Sequence, residues 1–250
     1  MLPMVELNNI SLSYHSLNGE TKAISNLSFQ IKRGEFVCIV GPSGCGKSSI
    51  LSMLAGLIEP SSGEFQIHTQ AGIGYMLQKD YLLEWRTIYS NACLGLEIQN
   101  KLSPENLANV DRMLKLYGLA DFKYHHPSQL SGGMRQRAAL VRTLAIHPEL
   151  LLLDEPFSAL DYQTRLSVAD EIGTIIRKEK KTAILVTHDI SEAVALADRV
   201  IVLTKRPATV KSIHEINLSI SDRTPMKSRE CPEFKDYFNT IWKELDVHVS

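Results

Sequence analysis

The segment Gly41-Pro42-Ser43-Gly44-Cys45-Gly46-Lys47-Ser48 limits the folds open to this chain more than any other stretch. It matches G-x-x-x-x-G-K-[ST], in which glycines let the backbone pass close to phosphate and turn its N–H groups inward, where a Cβ would obstruct them. Such a loop joins a strand to a helix, and the sequence supplies both. Phe36–Val40 is a short apolar run with a β-branched bias, the pattern of a buried strand. Ser48–Leu57 has helical character until Gly56 and Pro60 close it. A helix beginning near Lys47 adds the positive end of its dipole. Lys47 can reach the β- and γ-phosphates and the Ser48 hydroxyl can ligate Mg²⁺, so ATP with Mg²⁺ is the expected ligand pair. Cys45 lies inside the loop, which predicts inhibition by thiol reagents that ATP slows.

Two acids complete the chemistry. Leu150-Leu151-Leu152-Leu153-Asp154-Glu155 is an apolar strand ending in adjacent carboxylates, and ligands of parallel sheets bind at strand ends. Asp154 is expected to hold Mg²⁺, directly or through water, and Glu155 to orient and deprotonate the attacking water. His188 follows the strand Ala183–Thr187 and can place its imidazole beside the γ-phosphate. Gln78, after Gly74-Tyr75-Met76-Leu77, is either a surface amide or a contact to Mg²⁺ and the attacking water. Leu130-Ser131-Gly132-Gly133-Met134-Arg135-Gln136-Arg137 opens a further helix, whose N-terminal N–H groups predict a second anion site. If both devices serve one nucleotide, opposite subunits of a dimer must bring them together.

The rest of the chain fits around these motifs. Val5–Tyr14 and Ala23–Ile31 alternate apolar and polar residues as half-exposed strands do, the first with a bulge between Leu7 and Ile10. Strand runs return at Leu150–Leu153, Ala183–Thr187 and Val200–Leu203 between helical segments, indicating a mainly parallel sheet. Between them, Tyr81–Glu149 is mostly helical and reads as an inserted subdomain; Ser103-Pro104-Glu105 starts one of its helices and Gly118 ends it. Phe234, Tyr237, Phe238, Ile241, Trp242 and Leu245 form one apolar helical face, expected to pack on the chain's own domain, with partner binding as the alternative use. The formal net charge of −1 gives no sign of a nucleic-acid partner. Cys38, Cys45, Cys93 and Cys231 form no C-x-x-C pair, as in a reduced cytosolic setting. The N-terminus has no basic n-region, and no apolar run approaches the ~20 residues a membrane helix needs.

LSGGMRQR, upstream of LLLLDEP and downstream of GPSGCGKS, resembles the ATP-binding subunit of an ABC transporter over nearly the whole chain. The resemblance implies an α/β fold: a P-loop NTPase (RecA-like) core with an N-terminal antiparallel β-subdomain and an inserted α-helical subdomain at about 81–149. Residues 1–250 would form a single ATPase domain ending in a short helical tail at about 233–246. It also assigns roles. Gln78 is the Q-loop, Ser131–Gln136 the signature, Ser158-Ala159-Leu160-Asp161 the D-loop and His188 the switch histidine. Tyr14 matches the aromatic residue that stacks on adenine, although HSLNGETK follows it. Nucleotide contacts are then expected at Tyr14, at Gly41, Pro42, Ser43, Gly44, Cys45, Gly46, Lys47, Ser48 and Ser49, and from a partner subunit at Ser131, Gly132, Gly133, Gln136 and Asp161. Catalysis would rest on Glu155, His188, Gln78 and Lys47, with Mg²⁺ at Ser48, Gln78 and Asp154.

Such subunits work as a head-to-tail homodimer that drives a separate transmembrane permease and, indirectly, an extracytoplasmic solute-binding protein. The chain would thus sit peripherally at the cytoplasmic face of the cell membrane. Leu82-Leu83-Glu84-Trp85-Arg86-Thr87, DEPFSALDYQTR, THDISEAVALADRV and Lys205-Arg206-Pro207 are similar to nitrate/sulfonate/taurine-type import ATPases. Glu84 stands where that branch more usually has proline, at the place where a permease would dock. An importer of thiamine precursors and a non-transport ABC ATPase are the alternatives. The short tail after Thr204 leaves no room for a large regulatory domain.

Overall fold

The structure, a computed structural model, describes residues 2–16, 19–220 and 223–246. Strands β1 (Val5–Ser16) and β2 (Gly19–Ile31) form a long antiparallel hairpin. The expected bulge is there: pairing shifts between Leu7 and Ile10, where Asn9 has φ 52°. Leu17 and Asn18, within the HSLNGETK segment, lie outside the described residues, as do the last four residues of the expected 1–250 domain. Strand β3 (Phe36–Val40) leads through the glycine loop into helix α1 (Lys47–Leu54). Strand β4 (Ser62–Ile67), which the sequence reading did not foresee, completes the first sheet in the order β2-β1-β4. Every residue of β4 is exposed or only half-buried, so its sequence carries little apolar alternation to reveal it.

Strand β5 (Ile73–Met76) precedes the helical stretch, which holds α2 (Ile88–Ala92), α3 (Leu94–Ile98), α4 (Pro104–Leu116) and α5 (Gly132–Ala145). As expected, Ser103 caps α4 by accepting from the Asn106 N–H, with Pro104 in the first turn. Beyond it come β6 (Leu150–Asp154), α6 (Tyr162–Lys178), β7 (Thr182–Val186), α7 (Ile190–Leu196), β8 (Arg199–Leu203), β9 (Val210–Glu215), α8 (Pro225–Glu230) and α9 (Pro232–Asp246). The second sheet runs β5-β6-β7-β3-β8-β9, parallel except for β9 against β8.

Every residue of β3, β6 and β7 is buried, because both faces of this sheet are covered. The two-residue strand period sorts them. Cys38, Leu151, Leu153 and Leu185 enter the core shared with α4–α7, whereas Val37, Ile39, Leu150, Leu152 and Ile184 enter the core beneath α1 and the β1–β2 hairpin. Each fully buried leucine contributes roughly 1.5–3 kcal/mol, so this strand layer is the rigid base from which the loops project. The C-terminal face packs on its own domain: Ile241 is fully buried, and Phe234, Tyr237, Phe238 and Leu245 lie against the core. Trp242 stays half exposed, stacked on Phe238 with ring centroids 6.0 Å apart. No helix of the described residues is long and apolar enough to cross a membrane.

Candidate active site

The loops at the C-terminal ends of β3, β5, β6 and β7 carry the phosphate loop, Gln78, Glu155 and His188. Gly46 is the N-cap of α1 with φ 117°, and a Cβ there would lie 3.3 Å from the Ala23 carbonyl oxygen. Only glycine takes this conformation readily, which leaves the first N–H groups of α1 without a side-chain cap. Those N–H groups face a cavity of about 420 Å³, whose lining includes Ser43, Gly44, Lys47, Ser48, Ser49, Gln78 and Glu155. Tyr14 borders it from the hairpin, its hydroxyl donating to Ser49 Oγ at 2.9 Å. The Lys47 ammonium is nearly buried and donates to the carbonyls of Gly41 (2.8 Å) and Pro42 (3.0 Å). Gly41, Pro42 and Cys45 form the loop beneath the cavity and not its lining.

The acid pair divides. Asp154, 4 % exposed, accepts from the Ser48 hydroxyl at 3.1 Å. Burial pushes its carboxyl above the usual carboxylate range, against the opposing pull of the Ser48 hydrogen bond. A hydroxyl and a carboxylate side by side are oxygen donors that fit a hard divalent cation. Glu155 leaves the strand with φ 46°, held by its N–H to the Val186 carbonyl at 2.9 Å. This backbone turn aims its carboxylate at two other motif residues. Oε2 lies 3.3 Å from His188 Nδ1 and accepts from Gln78 Nε2 at 3.2 Å. Three strand ends, β5, β6 and β7, thus meet at one oxygen.

Behind His188, Thr187 donates to the buried Glu192 at 2.7 Å, and burial pushes the Glu192 carboxyl up to about 6. Asp189 caps α7 by accepting from the Ser191 and Glu192 N–H groups. The turn that carries the histidine is therefore fixed from both sides.

One expectation changes. The Cys45 thiol is 1 % exposed and packs into the core under α1, and burial raises its pKa. A buried thiol with little thiolate is a poor nucleophile, so the expected ATP-slowed inhibition is replaced by its opposite. The folded chain is expected to keep its ATPase activity in a thiol reagent, to the same degree in wild type and Cys45→Ala; rapid loss in wild type alone, slowed by ATP, would contradict this. At the signature, Ser131 caps α5 by accepting from the Met134 N–H at 3.3 Å, which leaves the hydroxyl's own proton to donate. Gln136 is 4 % exposed, and its amide donates to the Gln78 carbonyl at 3.5 Å.

Ser131, Gly132 and Gly133 do not join the cavity of Lys47 and Ser48, and neither does Asp161, which caps α6 by accepting from the Thr164 N–H. Gly132 and Gln136 border a separate concavity of about 430 Å³, and Gln78 lines both. Arg135 donates to Asp80, and Arg142 donates to the carbonyls of Tyr81 (2.8 Å) and Asp80 (2.6 Å). These bonds tie the Gln78 loop to α5. The buried Asn91 holds the next segment: its amide reaches the carbonyls of Leu83, Arg86 and Thr87, and its oxygen accepts from the Leu83 N–H. Trp85 and Tyr81 are thereby presented to solvent at 75 % and 59 % exposure on a braced loop. Sequence reasoning missed Asn91, because nothing in a local pattern separates a buried amide from a surface one. It also missed Arg206 as a site residue, which lines the cavity from the β8–β9 turn.

Comparison with known proteins gives a consistent result. Residues 24–158 match the family model described as ABC transporter. An uncharacterized ABC transporter ATP-binding protein of Bacillus subtilis, YtlC, is 43% identical over 98% of this chain and 96% of its own length. The nitrate import ATP-binding protein NrtD of Synechocystis is 37% identical over 95% and 93%, and the taurine import ATP-binding protein TauB of Yersinia pestis 40% over 91% and 94%. Among solved structures, the dimeric post-hydrolysis state of the ATP-binding cassette MJ0796 bound to ADP and Pi superposes with a TM-score of 0.77. It is 31% identical and covers 86% of this chain and 99% of that one. A P-loop cassette fold, a phosphate loop beside two strand-end acids and full-length relatives of one kind agree: the chain belongs to the ABC transporter family as one of its ATP-binding, ATP-hydrolysing members.

Proposed function

We propose that this chain is the ATPase subunit of an importer for a small anionic solute of the nitrate, sulfonate or taurine type. The observation that carries the dimeric part is the separation of two devices in one subunit. The cavity of Lys47 and Ser48 contains no signature residue, and Gly132 borders a different concavity. In this reading two copies face head to tail, and each ATP lies between the Gly41–Ser49 loop of one and Ser131, Gly132 and Gly133 of the other. Asp161 stands at the same junction, and Tyr14 stacks on adenine.

Glu155 orients and deprotonates the attacking water, with His188 and Gln78 fixing its carboxylate through Oε2. Ser48, Asp154 and Gln78 would hold Mg²⁺, which when bound neutralises charge on the phosphates. The helical subdomain, about 81–149, receives movement at Gln78 and passes it on through the arginine bonds to α5. The exposed Tyr81–Trp85 loop would touch a permease, placing the chain at the cytoplasmic membrane face; an extracytoplasmic solute-binding protein would act through that permease. The solute class rests on relatives whose names specify nitrate and taurine import.

The test is reconstitution. The chain, co-purified with its membrane partner and placed in liposomes, is expected to hydrolyse ATP faster when a binding protein loaded with nitrate, taurine or an alkyl sulfonate is added. Stimulation by a thiamine precursor alone would move the substrate class. Recovery with no membrane partner, in a complex with other soluble proteins, would overturn the transport reading.

A further inference from the structure

The nucleotide cavity has a wall that the phosphate-loop motif does not supply. Arg206, exposed on the β8–β9 turn, donates to the Gly44 carbonyl from both Nε (3.1 Å) and Nη2 (2.7 Å) and lines the cavity. Its turn is anchored to the first sheet. The Ala208 N–H donates to the Ala23 carbonyl at 2.9 Å, the Ser25 N–H donates to the Ala208 carbonyl at 3.0 Å, and Ala208 is fully buried. The guanidinium is therefore held between β2 and the tip of the phosphate loop.

Sheet order gives this position a meaning. In β5-β6-β7-β3-β8-β9, the strands bearing Glu155 and His188 lie on one side of β3, and β8 lies on the other. A polyphosphate running across the end of β3, with its terminal phosphate toward Glu155, has its inner end toward β8 and the hairpin that carries Tyr14. Arg206 occupies that inner end. A guanidinium has five N–H protons in a fixed fork; the Gly44 carbonyl engages one edge, and those on Nη1 remain for a ligand. Among the described residues no carboxylate pairs with it.

We infer that Arg206 is a nucleotide-binding residue: one edge of its guanidinium braces Gly44, and the remaining N–H groups take the α-phosphate and ribose portion of the nucleotide. The inference rests on ATP occupying the cavity of Lys47 and Ser48. Arginine suits the task because its rigid planar fork presents one edge to a carbonyl and the remaining N–H groups to an anion in a fixed geometry, which the flexible ammonium of lysine does not hold.

The experiment is calorimetric titration of the full chain with ATP, ADP and pyrophosphate, the last having neither ribose nor α-phosphate. Charge-assisted contacts of this kind predict that Arg206→Gln weakens ATP and ADP by about tenfold or more, with pyrophosphate changed far less and Arg206→Lys restoring part of the loss. Equal weakening of all three ligands would reduce Arg206 to a brace for the loop and overturn the inference. Unchanged binding of all three would also overturn it, provided Lys47→Ala weakens them in parallel. If Lys47→Ala is equally silent, the placement of ATP in this cavity fails as well. Arg206 is on the surface, so its replacement leaves the core intact.

Discussion

Glu155→Gln is expected to lower ATP turnover by about 10²- to 10⁴-fold, the range of a lost general base, while ATP binding is retained. The carboxylate has its chemistry concentrated at Oε2, which faces His188 at 3.3 Å and Gln78 at 3.2 Å. Glutamine keeps the length, the planar end and one acceptor oxygen, and it keeps the backbone turn at φ 46°. What it cannot do is accept a proton from water at neutral pH. Since Glu155 makes no contact with the phosphate loop through Oε2, the loop and its helix N-terminus remain able to hold nucleotide. An ATP-loaded dimer should then accumulate, visible as an earlier peak in size-exclusion chromatography with ATP than without. Turnover at the wild-type rate in this variant would remove Glu155 from the role of base and return the question to His188.

The second large effect is at Lys47. Removing its ammonium in Lys47→Ala takes away a charge-assisted contact of about 1.5–3 kcal/mol, roughly ten- to hundredfold in ATP affinity. The stem of Lys47 is nearly buried and its ammonium bridges the Gly41 and Pro42 carbonyls. The substitution therefore also loosens the loop that must present its N–H groups. Both consequences act in one direction, and calorimetry measures their sum. A melting curve matching wild type would show that the fold survives; an unchanged Kd would then refute the assignment.

The contrast between Cys45 and Arg206 shows where reading a chain stops. Cys45 lies within the motif, so a linear reading counts it with the ligand-facing residues; the structure turns its side chain into the core beneath α1. Arg206 lies far from the motif in sequence and reaches the cavity because β8 is the neighbour of β3. The bond from the Gln136 amide to the Gln78 carbonyl is likewise invisible in LSGGMRQR, because its partner lies 58 residues away. Strands β4 and β9 were missed for a related reason. Both are partly exposed, so neither leaves the apolar signature that made β3, β6 and β7 legible.

The sequence by itself determined the features that depend on neighbours along the chain. These are the loop at Gly41–Ser48 between a strand and a helix, the serine cap at Ser103, the bulge after Leu7 and the acids that end β6. Local backbone sterics, capping hydrogen bonds and hydrophobic periodicity decide such features within a few residues. Only the tertiary structure decided that Gln78, Glu155 and His188 converge on one oxygen and that Arg206 lines the cavity. Those contacts join residues far apart in sequence. Their side-chain directions are set by which strands pair and which faces are buried, and by nothing the neighbouring residues encode.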